Sequence, residues 1–162
     1  LYRRLLLGKF NIIPTKKEDA LLVLNNISPE ISFELKSLSK NSILSLIDGN
    51  IKQSDESWTV WKDGILICIF GIGSGSLLTS TGYPWIISTR EIKKYKKEFL
   101  IGTKVVIKYW LNIYTSLENY IPNNFPSALR WLRWAGFTIY PAQPIGPTSI
   151  PLHRVVIERK DK

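Results

Sequence analysis

Asp63-Gly64 lies between Trp58-Thr-Val-Trp-Lys62 and Ile65-Leu-Ile-Cys-Ile-Phe-Gly-Ile72, and no other stretch narrows the fold as much. An Asp-Gly pair accepts the positive φ angles of a tight primed turn, whose twist matches that of two paired antiparallel strands. The second arm is apolar at nearly every position, whereas a strand with one wet face would alternate. That strand is therefore expected in the middle of a sheet covered on both sides, and the covering must come from helices elsewhere in the chain.

The flanking segments supply them. Phe10 to Pro14 reads as a first strand. Thr15 and Glu18 match a capping box, with Ala20, Leu21 and Leu24 at helical spacing behind it. Ser28-Pro29-Glu30 opens a second helix with Pro at the first helical position, where a missing N–H costs nothing. A third helical piece is expected from Ser42 to Ile47, ending near Gly49. Beyond the hairpin, residues 73–82 read as a flexible loop and Pro84 to Ile87 as a strand. Ser88 and Glu91 form a second capping-box pair ahead of the longest helix, whose apolar stripe runs from Ile92 to Trp110 with a kink expected at Gly102. Leu117 to Ile121 reads as a strand and Pro126 to Ala135 as an amphipathic helix stopped by Gly136. Thr138 to Tyr140, a Pro/Gly-rich loop and a last strand from His153 to Glu158 complete the order. No repeat or long linker divides the chain: residues 1–9 read as an N-terminal arm and 10–162 as one α/β (α+β) domain.

Composition closes off several functions. No apolar run is long enough to cross a bilayer. One cysteine and one histidine leave no zinc ligand set. Cys68 lies among aliphatic residues and reads as core, and His153 reads as structural or surface. The net charge of +9 favours an anionic partner without identifying one.

The element order, together with Ala128-Leu-Arg-Trp-Leu-Arg-Trp-Ala-Gly-Phe137, resembles the GNAT acetyltransferase fold, in which a late helix ends in a Gly-Phe pair. That implies a mixed, mostly antiparallel central sheet with helices on both faces. A narrower resemblance rests on Phe70-Gly-Ile72, Pro84-Trp-Ile-Ile-Ser-Thr89, Leu117-Glu-Asn-Tyr120 and Arg130-Trp-Leu-Arg-Trp-Ala-Gly-Phe137. In this order they are similar to a phage family that includes the gene-13-type internal virion protein of short-tailed phages. This second resemblance implies a virion assembly or internal virion component, in the particle interior or the bacterial host cytoplasm, with other virion proteins as partners and no cofactor.

The first resemblance implies an acetyl-CoA site, and the residues meet it only in part. Active GNAT enzymes carry Gln/Arg-x-x-Gly-x-Gly/Ala at the turn into the long helix, where glycine backbone and helix terminus cradle the pyrophosphate. Here that stretch is Ser88-Thr-Arg-Glu-Ile-Lys-Lys94, without glycine. Gly71-Ile-Gly-Ser-Gly75 lies too early and reads as a loop. Counting back from Gly136-Phe137, the proton-donating tyrosine position holds Leu132, and the helix-start asparagine position holds Phe125, beside Asn123 and Asn124 as possible caps. Tyr114, Tyr120 and Tyr140 are the nearby hydroxyls that could substitute. Glu34 and Glu118 are the carboxylates able to take a proton from an amine, although they read more simply as a surface helix residue and a strand-end residue. If acetyl-CoA binds, Trp85, Ser88, Thr89, Arg90 and Asn119 are expected to line its cleft.

The basic residues suggest a binding role instead. Arg90, Lys93, Lys94, Lys97, Lys104 and Lys108 can share a face of the long helix, and Arg130, Arg133 and Trp134 extend it on the late helix. Packaged nucleic acid or an acidic protein would meet such a face, with salt-sensitive affinity. The sequence reading therefore favours a non-catalytic virion protein, with an acetyl-CoA-dependent N-acetyltransferase as the alternative and a nonspecific nucleic-acid-binding module behind both.

Overall fold

The structure, a computed structural model, describes residues 10–38, 42–75, 78, 80–146 and 150–161. The expected arm, residues 1–9, lies outside them, as does part of the expected loop before Gly82. Seven strands form one sheet: β1 (Asn11–Pro14), β2 (Glu56–Lys62), β3 (Ile65–Ser74), β4 (Thr81–Ser88), β5 (Ser116–Pro122), β6 (Thr138–Ile139) and β7 (Leu152–Glu158). Their spatial order is β1-β2-β3-β4-β5-β7-β6. Every pairing is antiparallel except β4 with β5. The helices are α1 (Asp19–Asn25), α2 (Pro29–Leu38), α3 (Ile43–Gln53), α4 (Lys96–Ile113) and α5 (Pro126–Ala135), with a 3₁₀ segment, Arg90–Tyr95, ahead of α4. No described helix is long and apolar enough to cross a membrane.

The hairpin forms as its sequence requires: Asp63 and Gly64 take φ of 50° and 77° between β2 and β3. β3 is covered on both sides. Ile69 packs with Val23 of α1, Ile31 of α2 and Ile47 of α3 on one face. Ile72 packs with Ile107 and Trp110 of α4 and Leu132 of α5 on the other. α4 and α5 touch through Phe99 and Trp131, whose ring centroids are 5.0 Å apart. Gly136 closes α5 at φ 106°.

Several local expectations are corrected. Thr15 and Glu18 form no capping box, because Asp19 reaches back instead to accept the N–H of Lys16 at 2.9 Å. α3 runs through Gly49 to Gln53, held at its start by Ser42, which accepts the N–H of Ser45. Ser88 caps no helix: it ends β4, and a 3₁₀ segment follows it. α4 passes through Gly102 without interruption, with that residue buried. Asn123 and Asn124 do not cap α5, whose N-cap is Phe125; Asn123 instead holds the His153 ring at 2.8 Å.

Candidate active site

β4 has two different edges. On one side it pairs with β3 from Ser74↔Gly82 to Cys68↔Ser88. On the other it meets β5 only at Thr81↔Ser116 and Gly82↔Leu117, after which the strands part. Asn119 spans the gap, donating from Nδ2 to the Pro84 carbonyl at 2.7 Å. Parting two parallel strands leaves backbone groups on β4 without a strand partner, so an incoming amide can pair there.

A cavity of about 730 Å³ occupies this split and extends to both faces of the sheet. Trp85 and Ser88 of β4, Asn119 and Tyr120 of β5, and Ser127 and Trp131 of α5 lie on its wall. Glu34 reaches it from α2, beside Ile31 and Leu35. Its carboxylate has no hydrogen bond or ion pair among the described residues, and desolvation raises its pKa from the ordinary 4.5 to about 7. The surface-residue reading of Glu34 is thus corrected: its helix face turns inward.

Glu118 is different. Arg154 donates to both its oxygens, at 2.6 and 3.2 Å, and the Tyr120 hydroxyl lies 3.4 Å away. A carboxylate so committed is a structural anchor and not a free base. Leu132, at the position where the resemblance asks for a proton donor, is buried core. Tyr114 donates to Asp55 at 2.7 Å, and burial, then that contact, pushes its pKa upward. Tyr140 is exposed with Arg154 over its ring. Of these three tyrosines, only Tyr120 lines the cavity.

The corner after β4 explains the missing glycines. The Thr89 N–H donates to the Ile67 carbonyl at 2.9 Å, and the Arg90 N–H to that of Asn26 at 3.0 Å. The Thr89 hydroxyl donates to the Leu66 and Ile67 carbonyls. These backbone donors are therefore spent inside the protein, and no pyrophosphate cradle exists at that point. Thr89 is buried and Arg90 exposed, and neither lines the cavity, contrary to expectation. Any diphosphate must be met by side-chain charge instead.

The basic face is also revised. Lys93 pairs with Glu30 at 3.0 Å and Lys94 with Glu91 at 2.7 Å, both on the 3₁₀ segment and not on the long helix. Lys97, Lys104 and Lys108 are exposed on α4, and Arg130 and Arg133 on α5. Lys104 Nζ stands 4.0 Å from the centroid of Trp134, which is 46% exposed. Cys68 is buried with its thiol pushed up to about 12, and His153 donates from Nδ1 to the Tyr140 carbonyl and is held by Asn123 at Nε2, so neither is a nucleophile. Among the described residues no group of three His, Cys, Asp or Glu side chains gathers to hold a metal.

Ser127 escaped the sequence reading, and Trp131 entered it only as a core or groove residue of the late helix. Pro126 marks the first helical turn that brings Ser127 to the wall, but nothing in the sequence says which way that turn faces. α5 carries no side-chain cap at its N-terminus, and its first-turn residues Ser127 and Ala128 lie on the same wall.

No family model and no curated protein sequence matches the chain. Solved structures do. A spermidine N-acetyltransferase from Vibrio cholerae, in complex with CoA and spermine, superposes with a TM-score of 0.69 at 14% identity, over 94% of this chain and 96% of that one. An N-acetyltransferase from Staphylococcus aureus Mu50 does so with a TM-score of 0.68 at 13% identity, over 93% and 99%. The chain therefore has the GNAT fold, mixed in its sheet and helical on both faces, as the sequence implied. These neighbours are acetyltransferases, and they overturn the expectation of a non-catalytic virion component in favour of the acetyltransferase alternative.

Proposed function

We propose that the protein is an N-acetyltransferase-type enzyme that moves an acyl group from a coenzyme A thioester, acetyl-CoA in the simplest case, to an amine. The observation that carries this reading is Glu34: an unpaired carboxylate in the wall of the cavity at the β4–β5 split, with a pKa near 7. A base poised at that value takes protons at neutral pH without being permanently neutralised. The fold neighbours add weight, since one of them holds CoA.

The pantetheine arm runs along the edge of β4 that β5 leaves, beside the Pro84 carbonyl that Asn119 holds. Glu34 takes a proton from the acceptor ammonium, directly or through one water. The freed nitrogen attacks the thioester carbonyl, a C–N bond forms, the C–S bond breaks, and the thiolate leaves to be protonated. A thiolate leaves readily because its conjugate thiol has a pKa of about 8.5. The absence of a tyrosine at Leu132 is therefore tolerable, and the first turn of α5 stabilises negative charge on the same wall. Lys96, exposed at the start of α4 and on the wall of the same cavity, supplies charge for the donor's phosphates in place of the missing glycine turn.

Thermal melts with acetyl-CoA and with desulfo-CoA, followed by thiol release with spermidine or a lysine-bearing peptide, test this. A saturable rise in Tm and thiol release that vanishes in Glu34→Gln are expected. No shift with either ligand at millimolar concentration overturns the reading.

A further inference from the structure

The cavity has a second limb that an acetyl group does not need. It runs beneath the 3₁₀ segment and the first half of α4, on the opposite side of the sheet from Glu34. Ile12, Val60, Ile67, Phe70 and Ile86 form its floor. Ile92, Phe99, Gly102 and Val106 form its roof. Phe10 and Tyr95 close the far end, edge to face with centroids 5.2 Å apart.

Ile92, Tyr95 and Val106 pack against the cluster of Ile12, Val60, Ile67 and Cys68; beside those contacts the limb stays open, and its apolar walls there forfeit dispersion contacts. Water finds no hydrogen-bond partners among aliphatic side chains, so it is a poor occupant. Gly102 lines the limb from a buried position on α4 and contributes no side chain to it. The limb is continuous with the split that receives the thioester. A chain leaving the thioester carbonyl therefore has an apolar path ahead of it.

We propose that the acyl group transferred is a medium-length saturated hydrocarbon chain, lodged under α4, and that acetyl is a poor version of the true donor. The inference rests on the acyl-transfer reading and concerns the same site. The chemistry is unchanged: the chain's carbonyl carbon exchanges its C–S bond for a C–N bond, and the thiol takes the proton.

The test is a melting series on the full chain with acetyl-, butyryl-, hexanoyl-, octanoyl- and decanoyl-CoA at one concentration, which needs no acceptor. Affinity should rise about fourfold per buried methylene until the limb is full, then level or fall. Gly102→Leu should move the optimum to shorter chains and Ile86→Ala to longer ones. The second variant decides the matter if the first does not fold. Equal shifts for all donors, a maximum at acetyl-CoA, or an optimum unmoved by Ile86→Ala would overturn the inference while leaving acyl transfer standing. No shift with any of the five would sink the acyl-transfer reading as well.

Discussion

The two edges of β4 show how one strand can be structural on one side and functional on the other. Towards β3 its pairing is continuous, and Gly71 lets the Trp85 ring lie close across the pair. Towards β5 the pairing stops after Gly82, and a cavity opens. The closed edge fixes where Trp85 and Ser88 stand. The open edge gives a ligand something to bind. A site arises where hydrogen bonding ends next to a place where it is complete.

The sharpest way to break that comparison is at the closed edge. A Cβ on Gly71 would sit 2.6 Å from the Glu56 carbonyl and 2.8 Å from Trp85 Cζ2. Gly71→Val should therefore cost about 3 kcal/mol or more, read as a fall in Tm and in denaturant midpoint. At the open edge the pattern inverts. Glu34→Gln should cut acyl transfer by about 10²-fold or more and yet stabilise the fold. The folded protein keeps a proton on Glu34 up to about pH 7, whereas the ordinary value is 4.5. Wild-type stability should then fall as pH rises through that window, by about 3 kcal/mol in all, and the variant should lack that slope. Wild-type kcat/KM should rise through an apparent pKa near 7, and a flat acidic limb would remove Glu34 as the base.

Smaller effects separate the edges further. Thr89→Val removes the hydroxyl that donates to two β3 carbonyls, and chemical denaturation should register about 1–2 kcal/mol. Asn119→Ala removes a side-chain bridge across the split, for about 1 kcal/mol in stability and a larger change in KM for the thioester. Smallest of all, Lys104→Ala gives up an exposed contact with Trp134 and should move stability by about 0.5 kcal/mol, with reduced effect in high salt.

The fold was largely legible because its signals are local. Asp63-Gly64, the apolar run of β3, and Gly136 after α5 each have one conformation that suits them. The capping boxes misled for the same reason: Thr15 and Ser88 match a local pattern, but tertiary partners offered better bonds. Asp19 reaches the Lys16 N–H and Thr59, and Ser88 meets Ser28, which directly precedes α2. Two of the candidate cleft residues, Thr89 and Arg90, follow from the expected splay of β4 from β5, but they lie past the end of β4, where their backbone bonds to Ile67 and Asn26. Glu34 was visible as a residue but not as a site, since a carboxylate's environment depends on which way its helix faces. Nothing in Pro29–Leu38 sets that. The phage-family likeness and the charge pointed towards binding because absent motifs are easy to see in a sequence and a cavity is not.

The aromatic side chains have a further consequence. Trp85, Trp110 and Trp131 all stand on the cavity wall, so half of the chain's six indoles look onto the same space. An arriving adenine-bearing thioester or hydrocarbon chain changes the polarity around them and quenches or shifts their emission. The protein thus carries its own optical reporter, and occupancy can be followed in real time without a label or a coupled assay.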